Sequence, residues 1–336
     1  MKTKKSSAAI LRPIREHWKK IAVILVIVLV VSAIFVTRRE GVKSKITVSG
    51  AWALYPMMVK WADEYQKIHP EVEIEVSAGG AGKGMSDALA GLVDIGMISR
   101  DIYQTEIDQG AFYVSVTKDA VVPTINSSNP VLQDLLTKGV TKQTFYDVFI
   151  TGNTTTWGQV VGTAATDEIH VYTRSDSCGA AETWAKYLDN KKQEDLTANP
   201  RATGVYGDPG ELAAIQGDSL GIGYNNINYA YDPSTKLPVA GTMPVPIDTD
   251  GNSTVDENEN FYDNIDSIVH AIQIGAYPSP PARDLHLVTN QSLGGWNEPT
   301  KAFIRWILTD GQQYVPETGY INLSQEKLQQ ELAKLS

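Results

Sequence analysis

The stretch VSAGGAGKGMSDALAGLVDIGMISR, residues Val76–Arg100, decides the fold. It reads as the end of a strand, a glycine-rich turn, a helix and a second strand, an order typical of α/β sheets whose ligand loops share one edge. A nucleotide-binding P-loop would need a glycine five positions before the final Gly-Lys pair and a Ser or Thr after the lysine. Ser77 and Gly84 occupy those positions, so the glycines serve something other than a nucleotide.

Strand and helix patterns keep alternating on both sides of this stretch. A helix is predicted where Met57, Met58, Trp61 and Tyr65 recur at three- and four-residue spacing. Alternating or β-rich runs predict strands in KITVSG, EVEIEVSA, AVVPTIN, EIHVYTR and GIGYNN. Helices are predicted in AETWAKYLDN, GELAAIQ and two segments at the carboxyl end. A body of roughly 290 residues built this way predicts two α/β lobes.

Charge is unevenly distributed along the chain. Residues 1–45 contain 11 of the 29 Lys and Arg residues but only Glu16 and Glu40 among the 39 acidic residues. The remaining body is therefore strongly acidic, which argues against nucleic acid as a partner. The single cysteine, Cys178, excludes an intrachain disulfide and any cysteine-cluster metal site.

An uncharged run, Ile21–Val36, lies between two pairs of basic residues. At 1.5 Å per residue its 16 residues reach about 24 Å, and the basic amino-terminal flank keeps the start of the chain in the cytoplasm. No small-x-small cleavage site follows, so a retained anchor is favoured over a cleaved signal peptide. We expect a basic cytoplasmic tail at 1–20, a membrane anchor at 21–37 and a body outside the cytoplasm; cleavage would release that body instead.

Three turns between a strand and a helix are suited to an anion. Free N–H groups and the positive end of the helix dipole face such a turn, and the segments are SGAWALYP, GGAGKG and YTRSDSCGAAETW. In the third, Arg174 offers a guanidinium that matches a carboxylate or phosphate bidentately. Asp176 either orients that guanidinium or caps the helix. Lys83 is expected to point to solvent.

With these segments in this order, the chain resembles the phosphate-binding proteins of ABC phosphate importers, members of the periplasmic-type binding-protein superfamily. The resemblance also covers NPVLQDLLTKGVTKQTFYDVFITGNTTTWGQV and GQQYVPETGYINLS. It implies a type II-like fold of two α/β lobes, joined by two hinge crossings, that closes on a small ligand. Lobe I is expected at 46–122 and 266–336, and lobe II at 123–265.

The resemblance implies a ligand site in the cleft between the lobes. The positions carried over are Trp52, Ala53, Ala81, Ser99, Arg174, Cys178, Gly179 and Ala180. The family usually has Ser or Thr at four of them, Trp52, Ala81, Cys178 and Ala180 here. An unmet buried polar group costs about 1–3 kcal/mol. Two alternatives therefore stay open: phosphate bound through backbone amides, or another anion with an apolar portion. Arg283 is expected to hold a proline-rich turn rather than the ligand.

The expected function is that of the solute-binding component of a phosphate-type ABC importer, with permease subunits as partners and no required cofactor. The alternative is an anchored receptor of the same fold for a less polar anion, without transport. Catalysis is not expected, because the chain has no HExxH, GxSxG or nucleotide-binding motif.

The segment DTDGNSTVDENE, Asp248–Glu259, has the spacing of an EF-hand calcium loop. Such a loop takes its oxygen ligands from positions 1, 3, 5, 7, 9 and 12. These positions fall on Asp248, Asp250, Asn252, Thr254 (backbone carbonyl), Asp256 and Glu259. Ser253 stands where the sharp turn usually has glycine, and the preceding TMPVPI makes an entering helix unexpected. The loop is interpreted as a structural calcium site or as a solvated acidic loop.

Overall fold

The structure, a computed structural model, describes residues 44–336. Eleven strands are found in this part of the chain. They are β1 (Ser44–Gly50), β2 (Val72–Ala78), β3 (Ile95–Ile98), β4 (Ala111–Asn126), β5 (Val140–Thr141), β6 (His170–Arg174), β7 (Ala202–Val205), β8 (Gly221–Asn226), β9 (Thr242–Pro244), β10 (Ile247–Asp248) and β11 (Ala282–Asn290). One sheet has the order β2-β1-β3-β11-β4-β8-β6-β7, with β9 also on β4, and β10 pairs separately with β5.

Helices connect these strands. They are α1 (Tyr55–Ile68), α2 (Ala81–Leu89), α3 (Gln104–Asp108), α4 (Leu132–Lys138), α5 (Lys142–Tyr146), α6 (Trp157–Val161), α7 (Gly179–Tyr187), α8 (Gln193–Thr197), α9 (Gly207–Gln216), α10 (Ile227–Ala230), α11 (Ile265–Ile274), α12 (Glu298–Leu308) and α13 (Gln325–Ala333). A π-helical turn at Asp147–Thr151 and short 3₁₀ turns at Trp52–Leu54, Gln291–Leu293, Asp310–Tyr314 and Pro316–Thr318 complete the set.

The glycines of the opening stretch allow the helix α2 to pack directly on the sheet. A Cβ placed on Gly84 would lie 2.8 Å from the Cα of Gly50 and 2.6 Å from the carbonyl oxygen of Met97. Any side chain at Gly84 would therefore push α2 away from β1 and β3. The helix begins at Ala81, so part of the glycine turn GGAGKG is its first helical turn.

Two apolar cores divide the molecule into two lobes. Lobe I gathers buried side chains from residues 46–116 and 285–335. Lobe II gathers them from residues 120–282, with Ile321 added. Its centre is aromatic, with the ring of Trp184 stacked on Tyr224 at 5.8 Å between centroids. Helix α11 packs in lobe II, so that lobe reaches Ala282, further than the predicted boundary at residue 265.

The long strand β4 belongs to both lobes. Its first ten residues pair antiparallel with β11, from Ala111↔Asn290 to Ala120↔Ala282. From Val121 onward it pairs with β8, and then also with β9, in lobe II. The chain leaves lobe I along β4 and returns along β11, which confirms the predicted two-lobed α/β architecture with two crossings.

The predicted cytoplasmic tail at 1–20 and membrane segment at 21–37 lie outside the described residues. Between residues 44 and 336, no helix is both long and apolar enough to cross a membrane.

The buried His286 on β11 should make stability depend on pH. Its Nδ1 lies 3.0 Å from the hydroxyl of Ser115, and burial lowers the pKa of His286 to about 4, against the opposing effect of Glu331. A depressed pKa contributes stability that is present above the unfolded value near 6.5 and is lost as pH falls toward 4. We expect this contribution to fall by about 2 kcal/mol between pH 7 and pH 5.

Chemical unfolding at pH 7 and pH 5 tests this expectation. Between pH 7 and pH 5, His286→Gln should lose less unfolding free energy than the wild type, by about 2 kcal/mol. The exposed His270 provides the matched control, because His270→Gln should keep the wild-type pH dependence. An unchanged pH dependence in His286→Gln would contradict the assignment.

Candidate functional site

Three loops meet where the two lobes touch. In lobe I, the amides of Gly79 and Gly80 donate to the carbonyl oxygen of Gly50 at 2.9 and 3.0 Å, which joins the first loop to the glycine loop. Across the cleft, the amide of Gly82 donates to the carbonyl oxygen of Ser177 at 3.1 Å. A Cβ added to Gly179 would overlap the carbonyl oxygen of Ser99. The loops predicted from sequence therefore converge at one place.

Arg174 lies at the centre of the lobe II side and is fully buried. Its Nε and Nη2 donate to the two carboxylate oxygens of Asp176 at 2.8 and 2.7 Å, and its Nη1 donates to Asp208 at 2.6 Å. Burial opposes the charge, but Asp208 and Asp176 outweigh it and hold the pKa of Arg174 above its ordinary value. Of the two alternatives for Asp176, the structure places it against the guanidinium, while Cys178 occupies the cap position of α7.

Asp208 is a residue of this site that the sequence analysis missed. It is fully buried at the start of α9, and its Oδ1 accepts hydrogen bonds from the side-chain amide and backbone N–H of Asn226 at 2.6 and 3.2 Å. A signal was present in the sequence, because YGDPGELAAIQ is another turn between a strand and a helix. Two carboxylates thus already neutralise Arg174 before any anion arrives.

Arg283 links the hinge to the helix α7, and the expectation that it holds the proline-rich turn is wrong. Its Nε donates to Asp119 on β4 at 2.9 Å. Its Nη1 donates to the hydroxyl of Thr183 at 2.8 Å and to the carbonyl oxygen of Gly179, and its Nη2 to Asn226. Burial raises the pKa of Asp119 to about 6, and Arg283 limits that rise. The cleft therefore contains three carboxylates and two guanidiniums.

Trp52 reaches from lobe I to lobe II. Its indole ring lies 3.1–3.3 Å from the Cβ position of Gly207 and meets the ring of Tyr206 edge-on at 6.3 Å between centroids. The indole Nε1 is buried and has no hydrogen-bond partner among the described residues. Such a donor normally has a partner when buried, so Trp52 presents a free N–H at the boundary between the lobes.

Apart from Ser99, which also has a hydroxyl, the remaining predicted ligand residues offer backbone rather than side-chain donors. Ala53, Ala81, Ser99 and Ala180 are all buried. Ala81 is the first residue of α2, and Gly179 and Ala180 are the first two of α7. Amides at these positions have no carbonyl partner within their own helix, so both helices direct unpaired N–H groups toward the contact between the lobes.

The structure gives Cys178 and Lys83 contacts that do not involve ligand binding. The Sγ of Cys178 accepts a hydrogen bond from the amide of Ala181 at 3.4 Å, and burial raises the pKa of this thiol to about 12. A protonated thiol in a helix cap is a poor nucleophile. Lys83 is half exposed and pairs with Asp87 one turn later, as expected for a side chain directed to solvent.

The predicted calcium residues lie together in lobe II. Oxygens of Asp248, Asp250 and Glu259 all lie within 4.8 Å of one another. The side-chain amide of Asn252 donates to Asp250 and Asp256 at 3.0 and 2.8 Å, and the carbonyl oxygen of the same side chain accepts from the amide of Thr254 at 2.8 Å.

The class of protein follows from this architecture and is supported by comparison with known families. The sequence profile of the PBP superfamily domain matches residues 36–311. Two lobes with an intervening site and this match over most of the chain establish that the chain belongs to the PBP superfamily.

Within this superfamily, proteins named as phosphate-binding proteins match most of the chain. The chain is 26% identical to the phosphate-binding protein PstS of Methanocaldococcus jannaschii, over 84% of each chain, and 26% identical to PstS of Pseudomonas aeruginosa, over 85% of each. A Clostridium perfringens protein solved with bound phosphate has a similar fold, with a TM-score of 0.66 and 24% identity, over 84% of this chain and all of that one. An ABC-type phosphate transport receptor from Vibrio cholerae gives 0.58 and 21%, over 83% and 100%.

The close contact between Gly179 and Ser99 predicts a variant that opposes closure without unfolding either lobe. Gly179→Ala places a methyl group against the opposite lobe, so we expect ligand affinity to fall at least tenfold while the melting temperature of the ligand-free protein stays within about 2 °C. The matched control is Gly210→Ala in α9, where a Cβ has no neighbour within 4 Å. Equal affinities in the two variants would show that closure does not need the Gly179 contact.

Proposed function

We propose that this chain is the extracytoplasmic solute-binding component of a phosphate-type ABC importer and that it binds phosphate between its lobes. The observation that carries the proposal is the meeting of two helix amino termini, α2 and α7, at the contact between the lobes beside Arg174. Helix amino termini bind oxyanions through free N–H groups and the helix dipole. Two solved proteins of this fold, one with bound phosphate and one a phosphate transport receptor, support the same ligand here, as does the likeness to a PstS protein over 84% of the chain.

Recognition in this proposal depends on hydrogen-bond donors more than on net positive charge. Asp176 and Asp208 already balance Arg174, and Asp119 balances Arg283. The guanidinium of Arg174 has five N–H groups, and three of them are used by the two carboxylates. The other two, with the amides of Ala81, Gly179 and Ala180, supply donors to an oxyanion enclosed by closure of the lobes.

Trp52 replaces a hydroxyl usual in the family, and its unpaired Nε1–H compensates for that loss as a donor. The same ring gives the cleft an apolar wall together with Tyr206. Because of this apolar wall, an anion with an apolar portion stays open as an alternative to phosphate. The two ligand classes are separated by direct titration.

We also propose that the apolar segment at 21–37 anchors the protein, with the lobes outside the cytoplasm and permease subunits as its transport partners. The support is the run of uncharged residues between basic flanks. The permease is proposed as a partner by analogy with the PstS family, because such binding proteins deliver their ligand to a permease.

Ligand binding in this proposal needs no cofactor and involves no catalysis. The single thiol is buried with a raised pKa. Calcium, if bound by the loop Asp248–Glu259, serves the stability of lobe II rather than capture of the anion.

Calorimetric titration of the full-length protein, unfolded and refolded to remove bound ligand, tests the proposal. We expect phosphate to bind with micromolar or tighter affinity. Trp52→Phe keeps an aromatic ring but removes the indole N–H, so phosphate affinity should fall about 5- to 100-fold, which corresponds to about 1–3 kcal/mol.

Two variants serve as controls in the same titration. Trp296→Phe changes another tryptophan whose Nε1 is unpaired but which packs in the core of lobe I, and Lys83→Ala removes a surface lysine of the glycine loop. Both should bind phosphate within about twofold of the wild type. A response to sulfate, molybdate or a small carboxylate, without a response to phosphate, would refute phosphate as the ligand and favour the less polar anion.

Cell fractionation tests the anchor. The full chain should sediment with membranes and be released by detergent but not by high salt, whereas a variant lacking residues 1–43 should stay in the supernatant. A wild-type protein found free outside the membrane, with an amino terminus beyond residue 36, would refute a retained anchor in favour of cleavage.

A further inference from the structure

We infer that the loop Asp248–Glu259 is a calcium-binding site in lobe II that acts independently of the anion site. The chemistry that recognises the ion is a set of carboxylate and carbonyl oxygens presented by a single twelve-residue loop. The inference does not depend on the ligand of the cleft.

The spacing of the oxygens fits one ion of calcium's size. Calcium takes six to eight oxygens at about 2.3–2.6 Å, so two of its ligands are at most about 5 Å apart. One oxygen from each of Asp248, Asp250 and Glu259 falls within 4.8 Å of the others. These are the first, third and twelfth positions of the loop, and they are brought together although ten residues separate the outermost two.

Burial of Glu259 provides an independent indication of a cation. The residue is only 2% exposed. Its Oε1 accepts hydrogen bonds from the amide and hydroxyl of Thr249, the first of these at 2.7 Å, whereas its Oε2 is buried without a partner among the described residues. A buried carboxylate oxygen normally has a hydrogen bond, a paired cation or a metal.

No basic side chain fulfils this role. None of the ion pairs formed between residues 44 and 336 involves Asp248 or Glu259, and both are nearly inaccessible. Two buried carboxylates in close proximity repel each other unless a cation lies between them. A divalent ion with hard-oxygen preference satisfies both, and the number of available oxygens favours calcium over the smaller, octahedral magnesium.

The backbone already has the sharp turn that such a loop requires. Ser253, at the sixth position where glycine is usual, has φ +61°. The carboxylate oxygens of Asp248 accept from the amides of Gly251 and Ser253 at 2.7 and 3.0 Å, which curls the chain around the first ligand. The serine that weakened the motif in the sequence therefore does not prevent its shape.

The position of the loop explains what an ion would stabilise. At the start of the loop, β10 pairs with β5, and Gly139 packs against Asp248. Within it, the amide of Val255 donates to the carbonyl oxygen of Thr137 at the end of α4, at 2.8 Å. Calcium would therefore join β10 to the chain that leads into α11, and would hold both against α4.

Calcium titration of the chelator-stripped, full-length protein tests the inference. We expect binding heat with one ion per chain and a melting temperature higher by about 5 °C at saturation, because an ion that binds only the folded state stabilises it. Magnesium at the same concentration should produce a markedly smaller shift. Phosphate is omitted, so that failure of the anion proposal leaves this result unaffected.

Variants within the loop locate the ion. Glu259→Gln and Asp250→Asn should each weaken calcium binding at least tenfold; Asp250 is exposed, so that variant remains informative even if Glu259→Gln does not fold. The matched control is Glu257→Gln, an exposed loop carboxylate at a position without a ligand role, which should retain wild-type affinity. The inference is overturned if millimolar calcium gives no heat and no change in melting temperature, or if Asp250→Asn and Glu257→Gln respond alike.

Discussion

The buried ion cluster around Arg174 is the constraint on which the lobe II side of the site depends. A guanidinium with no exposure to water is tolerated only because Asp176 and Asp208 accept its hydrogen bonds on two sides. Asp176 comes from the turn before α7 and Asp208 from the first turn of α9, so the same contacts fix the two helix ends relative to β6. Removal of Arg174 would leave two buried carboxylates without their cation, at a cost of about 3–5 kcal/mol.

Close approach of the backbone at the site, both within lobe I and between the lobes, depends on glycines. Gly50, Gly84 and Gly179 each lie so close to neighbouring backbone that a Cβ would overlap it. In lobe I this brings α2 onto the sheet, and across the cleft it lets Ser99 reach the start of α7. In the binding mode that we propose, a ligand enclosed there meets main-chain N–H groups, and these would replace the donors of the hydroxyl-bearing side chains usual in the family.

Much of the fold could be predicted from the sequence, because strand and helix periods alternate clearly around the glycine stretch. The first nine residues of β4, AFYVSVTKD, were missed; most of them are buried in the middle of the sheet, although the run contains Ser115, Thr117, Lys118 and Asp119. At the site, the loops around Ala81 and Arg174 were found through their strand–turn–helix pattern. Asp208 and the contacts of Arg283 were not, because both depend on pairings between residues more than 30 positions apart.

The path of β4 and β11 also determines the order in which the molecule can form. Lobe II, from Ala120 to Ala282, is inserted within the sequence of lobe I. The core of lobe I lacks β11, α12 and α13 until the residues from 282 to 333 have been made. Domains usually fold from the amino terminus during synthesis, but here the lobe that begins second is the first that can be completed. An emerging chain therefore carries the unfinished strands of lobe I until β11, α12 and α13 have followed lobe II.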